Sequence, residues 1–175
     1  MTAPQTQASP QPTFPTIRVG GLFILAAGFT TLVALLLRGA SPLHPGLFLA
    51  GMMVAVFGIL LNPWVRNRFS QGIQTTRQRD AIRGAIVFEA ISIIVVCQCF
   101  PDDLQTRWLW IFLIVGLHFI PMQLSHSGWI AFLGGLLVVN AIAGLSTILP
   151  FQDVAVIDGL LKLVCGLKLF LLPMV

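Results

Sequence analysis

Six polar side chains lie inside long apolar stretches, where ionisable groups are costly and usually mark a function or a required pairing. They are Glu89, His118, Asn140, Asp158, Lys162 and Lys168. At a helical rise of about 1.5 Å per residue, all but Asp158 fall in a band around the middle of a membrane, and Asp158 lies nearer the outer face. Five of them are our candidates for binding or proton relay: Glu89, His118, Asn140, Asp158 and Lys162.

The spacing of these residues predicts two pairs. Asp158 and Lys162 are four residues apart, so they share one face of a helix and can pair. Glu89 and His118 then remain as natural partners between two spans joined by a tight turn. A glutamate and a histidine in low dielectric can share a proton, since histidine titrates closest to neutral pH. This pair is therefore the predicted gate or proton relay.

Three interpretations of the polar residues remain open. They can hold the bundle together by interhelical hydrogen bonds, which contribute about 0.6 kcal/mol each on average. They can form a transport or ion-binding site around Glu89 and His118. They can also serve a membrane enzyme that uses His118 or His126 as a base.

The sequence carries no recognised catalytic motif, so no enzymatic activity, cofactor or metal is expected. It has neither an H-E-x-x-H zinc motif nor a G-x-S-x-G nucleophile elbow. Cys97, Cys99 and Cys165 form neither a zinc knuckle nor a C-x-x-C pair, and we expect free thiols.

The composition identifies the solvent of the chain. Of its 175 residues, 57% are hydrophobic and 9% are charged. Soluble globular proteins carry about 25% charged residues. A chain so poor in charge fits lipid, so the predicted fold class is an all-α, polytopic membrane helical bundle in the lipid bilayer.

Six transmembrane helices are expected, in one domain that follows a disordered cytoplasmic tail at residues 1–16. The predicted spans are residues 17–37, 43–61, 81–100, 108–124, 129–149 and 154–174. All four tryptophans fall at predicted span ends, as in an aromatic belt. The alternative is five spans, with the last segment lying in the interface because it holds three charges.

A basic loop orients the bundle. Its arginines are Arg66, Arg68, Arg77, Arg79 and Arg83. Such a loop is expected to face the cytoplasm and anionic lipid headgroups, which places both termini in the cytoplasm of a cell inner membrane. Val65, Phe69 and Ile73 are spaced at four, which predicts an interfacial helix within the loop. No recognisable nucleic-acid-binding fold accompanies the arginines, so no nucleic-acid partner is expected.

Residues 116–121, GLHFIP, are followed by a short turn and by FLGG at residues 132–135. This segment resembles one in small, uncharacterised bacterial multipass membrane proteins, which reads G-L-H-F-hydrophobic-P. The resemblance implies that His118 and Pro121 form a shared structural device, and it implies no activity.

The predicted architecture is similar to the substrate-binding subunits of energy-coupling-factor vitamin transporters. Those subunits meet their partner through an A-x-x-x-A stripe on the first helix, and here the stripe is Ala26, Thr30 and Ala34. The expected function is a small integral membrane protein with a polar mid-membrane site, as a transport or substrate-binding subunit. The alternative is a purely structural or interaction protein. With either function, we expect the protein to associate with a membrane partner subunit or with further copies of itself.

Overall fold

A computed structural model of the chain describes residues 14–70 and 73–172, which form helices and no strand. The helices are α1 (Ile17–Leu36), α2 (Pro45–Ala55, continued by a π-helical turn at Val56–Leu60), α3 (Pro63–Phe69), α4 (Thr76–Cys99), α5 (Leu104–His126), α6 (Gly128–Leu145) and α7 (Phe151–Leu171). The prediction of an all-α fold is confirmed for these residues.

Helix ends differ from the predicted ends where polar side chains cap them. α4 begins at Thr76 rather than at residue 81, because Thr75 and Gln78 form a capping box. α5 begins at Leu104 rather than at residue 108, because Asp103 Oδ1 accepts a hydrogen bond from the Thr106 amide at 2.9 Å. Hydrogen bonds from Thr106, first from its side chain and then from its backbone amide, lower the pKa of Asp103. α6 ends at Leu145, four residues before the predicted 149.

Within the described residues, four helices, α1, α4, α5 and α6, are long and apolar enough to cross a membrane. A fifth span results if α2 and α3, which meet at an angle of 59°, are taken as one broken element. Asn62 makes this break, since its Oδ1 caps α3 and Pro63 occupies the first turn. α3 contains Val65 and Phe69 of the interfacial helix predicted within the basic loop, but it ends before Ile73.

The last residues of the tail predicted at residues 1–16 are described by the structure, and they contact the helical bundle. Phe14 packs against the core and Thr16 Oγ1 accepts a hydrogen bond from Gln74 Nε2 at 2.9 Å. The rest of the predicted tail, residues 1–13, lies outside the described residues.

The helices pack side by side in the order α4, α5, α6, α7, α1, α2. α1, α5, α6 and α7 form the centre, while α2 packs on α1 and α4 packs on α5. The outer face of α4 is apolar and exposed, with Ile86, Val87, Phe88, Ile91, Ile94 and Val95 each about half accessible. A long apolar face of this kind is suited to lipid.

Glycines set the closest helix contacts. A Cβ on Gly28 would lie 2.7 Å from the Gly159 carbonyl oxygen, and one on Gly166 would lie 2.9 Å from that of Gly21. The stripe of Ala26, Thr30 and Ala34 predicted on α1 is therefore not the closest contact of that helix with α7. Thr30 faces α2 instead, where Gly51 leaves room for its side chain.

Candidate functional site

A polar layer separates two hydrophobic clusters in the helical bundle. One cluster is built around Phe112, Ala141 and Val154, and the other around Phe119, Leu137 and Leu169. We use the name polar layer for the side chains between them: Glu89, His118, Asn140, Asp158 and Lys162. Each helix of the group α4, α5, α6 and α7 contributes at least one of these groups.

Glu89 on α4 faces His118 on α5, as the spacing predicted. The Glu89 Oε2 and His118 Nε2 atoms are 3.7 Å apart. The His118 side chain is 7% exposed and the Glu89 side chain 27% exposed. The pair therefore joins a buried ring to a carboxylate that remains partly open at the edge of the bundle.

Asp158 and Lys162 form the predicted pair within α7. Lys162 Nζ lies 2.6 Å from Asp158 Oδ2, and both side chains are almost completely buried. The ammonium also lies 5.6 Å from the centre of the Phe112 ring on α5. Lys162 therefore contacts a carboxylate on its own helix and an aromatic ring on α5.

Asn140 joins α6 to α7 rather than to the Glu89–His118 pair. Its Nδ2 donates a hydrogen bond to the Val154 carbonyl oxygen at 2.9 Å. Asn140 Oδ1 and Asp158 Oδ1 are both buried and have no hydrogen-bond partner within the described residues. Two acceptors in the polar layer are therefore free to bind a donor.

Lys168 does not belong to the polar layer, although its position in the sequence suggested mid-membrane depth. Its side chain is exposed and the Nζ atom lies 3.3 Å from the centre of the Trp129 ring. A lysine over an aromatic face is stabilised by the ring quadrupole. Its long aliphatic stem lets the charge reach this interfacial tryptophan.

His126 is a buried residue, although it lies in the turn predicted after the fourth span, which was expected to end at residue 124. It occupies the last turn of α5, where its Nδ1 lies 2.6 Å from Ser125 Oγ. Ser125 Oγ donates to the Met122 carbonyl oxygen at 2.8 Å, so it accepts a hydrogen bond from the histidine. The ring fits against α1 because Gly20 has no Cβ. Its role here is to lock the end of α5 against α1.

The arginines of the predicted basic loop lie on two helices. Arg66 and Arg68 are on α3, and Arg77, Arg79 and Arg83 are on α4. All five side chains are exposed. They form a basic surface on α3 and the first turns of α4.

The cysteines are free, with Cys165 buried and Cys97 and Cys99 exposed on α4. Across residues 14–70 and 73–172, no group of three or more histidine, cysteine, aspartate or glutamate side chains is placed to hold a metal ion.

The fold and the apolar helices define the class as an all-helical protein with several helices able to cross a membrane. The chain belongs to DUF6609, a family of unknown function, whose model matches residues 7–174. No curated protein matches the chain. No solved structure matches it either.

Proposed function

We propose that the chain is a six-span inner-membrane protein whose polar layer binds a proton as part of a transport or substrate-binding subunit. One observation carries this proposal. Two ion pairs lie in the polar layer, one between the partly exposed Glu89 and His118 and the other between the buried Asp158 and Lys162. Ionisable residues at this depth usually mark an ion or substrate path.

The proposal of six spans rests on α2 and α7. α7 has 21 residues and runs antiparallel to α1, with Gly21 opposite Gly166 and Gly28 opposite Gly159. Its Asp158 and Lys162 neutralise each other, which reduces the cost of placing them in hydrocarbon. α2 with its π turn gives the remaining span. An even number of spans puts both termini on the side of the arginines, which the positive-inside rule assigns to the cytoplasm.

The geometry favours a binding role over a purely structural role. A separation of 3.7 Å between Glu89 and His118 is longer than an ordinary hydrogen bond. Buried polar groups that serve only packing are normally satisfied. Asn140 Oδ1 and Asp158 Oδ1 instead have no hydrogen-bond partner in the described part of the chain. The polar layer thus retains capacity for an additional proton or ligand donor.

A structural or interaction role is the second candidate, and one observation favours it. α4 packs mainly against α5, so the Glu89–His118 pair is one of the few polar contacts that fasten this helix. Under this alternative the pair holds α4 in place, and its loss weakens the bundle without affecting proton movement.

Proton movement in proteoliposomes distinguishes the two roles. We expect the wild type to carry protons along an imposed pH gradient, measured with a dye in the vesicle lumen and with the membrane potential clamped. Glu89→Gln and His118→Gln should each reduce the flux about a hundredfold, the scale of removing one proton-transfer group. Lys168→Gln is the matched control, because it removes a charge from α7 outside the polar layer.

The proposal fails if the wild type carries no more protons than empty vesicles. It also fails if both variants retain the wild-type flux while remaining folded. Equal loss of thermal stability and flux in the two variants would favour the structural role.

A further inference from the structure

A cavity of about 660 Å³ lies between α3 and the start of α4, far from the polar layer. Its polar wall is formed by Arg66, Asn67, Ser70, Gln74 and Arg79. Its apolar side includes Leu61 and Ile73, both of which are exposed. Small-molecule sites commonly have volumes of about 300–1,000 Å³, so the cavity is large enough for a headgroup.

The position of α3 explains why its polar residues line this cavity. Ser70, which follows the last residue of α3, lies four residues after Arg66 and three after Asn67, so it is on the same side as both. The opposite face is fixed to the bundle, because Val65 is buried and the Phe69 ring lies 5.5 Å from that of Phe170. The polar face is thereby held toward the start of α4.

The start of α4 supplies the other side of the cavity. The capping box begins the helix at Thr76 and places Arg79 in its first turn. Gln74 is anchored to the start of α1 by its hydrogen bond to Thr16. Two arginines on separate helices thus line one cavity, and the backbone of each helix is held in place by its own contacts.

The groups that face the cavity are hydrogen-bond donors without acidic partners. Neither Arg66 nor Arg79 has a carboxylate within ion-pair distance among the described residues. Ser70 Oγ is buried and lacks a hydrogen-bond partner in the same part of the chain. Guanidinium groups bind phosphate oxygens through paired N–H donors. The cavity therefore offers two such groups to a phosphate.

The surroundings indicate where the phosphate comes from. Trp64 on α3 is 69% exposed, and tryptophan is enriched at the level of lipid headgroups. Leu61 and Ile73 give the cavity an apolar side on which an acyl chain can lie. We propose that this cavity binds the phosphodiester headgroup of an anionic phospholipid, with Arg66 and Arg79 on the phosphate.

Native mass spectrometry in a neutral detergent tests lipid binding at this site in the absence of the electrostatic attraction that an anionic bilayer surface would add. The probes are phosphatidylglycerol, phosphatidylcholine, glycerol 3-phosphate and inorganic phosphate. We expect the wild type to retain phosphatidylglycerol most tightly, and millimolar glycerol 3-phosphate to leave it bound. Since each arginine near an anionic lipid contributes about fivefold in affinity, the double variant Arg66→Gln/Arg79→Gln should bind it about twentyfold more weakly.

Arg68→Gln/Arg77→Gln is the matched control. It removes the same charge from the same two helices, but neither side chain lines the cavity. We expect this variant to bind phosphatidylglycerol like the wild type. An equal loss in the control would show general charge attraction and overturn the site.

Two other results would also overturn the proposal. One is equal retention of phosphatidylcholine and phosphatidylglycerol. The other is binding of glycerol 3-phosphate or inorganic phosphate that depends on Arg66 and Arg79 while phosphatidylglycerol does not bind, which would make the cavity a site for a free anion.

Discussion

The interface between α1 and α7 and the interface between α4 and α5 each adjoin an ion pair, but they are built differently. At the first, Gly28 and Gly159 bring the two backbones into direct contact. Lys162 lies in the same interface, and its Cβ is 2.9 Å from the position that a Cβ on Gly28 would occupy. Its partner Asp158 is on the same helix, so relative movement of α1 and α7 does not change their separation.

The second interface is more open. α4 packs mainly on α5, and its buried residues are Gln78, Ala85 and Val96. Its ion pair joins two helices, so any shift of α4 changes the distance between Glu89 and His118. The comparison teaches that the Asp158–Lys162 pair belongs to the rigid part of the bundle, whereas the Glu89–His118 pair lies where structure and proton binding can be coupled.

The largest expected effect comes from breaking the pair in the rigid part. Lys162→Met keeps the length of the side chain but leaves the Asp158 carboxylate buried without its partner. Removal of one member of a buried ion pair costs about 3–5 kcal/mol of unfolding free energy. Unfolding of the reconstituted protein in SDS, followed by tryptophan fluorescence, measures this loss.

The double variant Asp158→Leu/Lys162→Met is the control for that experiment. Replacement of a whole buried pair by apolar side chains is often neutral or stabilising, so most of the loss should be recovered. Wild-type stability in Lys162→Met alone would show that the pair does not contribute to the rigidity of α7.

A smaller loss is expected when the glycine contact is filled. The Cβ of Gly28→Ala would lie 2.7 Å from the Gly159 carbonyl oxygen, a backbone atom that cannot rotate away. Overpacking of this kind costs about 1–3 kcal/mol. The same SDS unfolding assay applies.

Gly84→Ala on α4 is the matched control for the glycine contact. Nothing lies near its added methyl group, and alanine favours helix by up to about 1 kcal/mol relative to glycine. We therefore expect equal or greater stability. If Gly28→Ala behaves in the same way, the contrast between the two interfaces is wrong.

Much of the polar layer could be predicted from spacing because its pairs follow from local geometry. The four-residue separation of Asp158 and Lys162 fixes one pair on one helix face. The tight turn between α4 and α5 makes those helices neighbours, which left His118 as the natural partner of Glu89. The all-helical fold and the short helix at Val65–Phe69 were likewise visible in the apolar patterns.

Other features depend on which helices pack together, and the sequence does not reveal that order. α1 and α7 are far apart in the sequence. The sequence alone could not show whether α1 contacts its neighbour at Gly28, opposite Gly159, or through the stripe of Ala26, Thr30 and Ala34. His126 looked like a turn residue because of the adjacent Ser127 and Gly128. Its burial depends on the missing Cβ of Gly20, more than a hundred residues earlier.

The smallest expected change in stability accompanies the most direct test of the proposed proton site. Glu89→Gln keeps the shape and a hydrogen-bonding group, so it should cost less than about 1 kcal/mol. It removes the only acidic group on the α4 side of the polar layer. We therefore expect Glu89→Gln to lose proton binding at this position while it keeps nearly the stability of the wild type.

Infrared difference spectra of the reconstituted protein, recorded as the pH is lowered, measure that proton binding. We predict that the wild type gains protonated-carboxyl bands that shift in D₂O, and that Glu89→Gln lacks the component of one carboxyl group while remaining folded. Unchanged bands in Glu89→Gln would contradict the account, because the titrating proton would then not reside on Glu89.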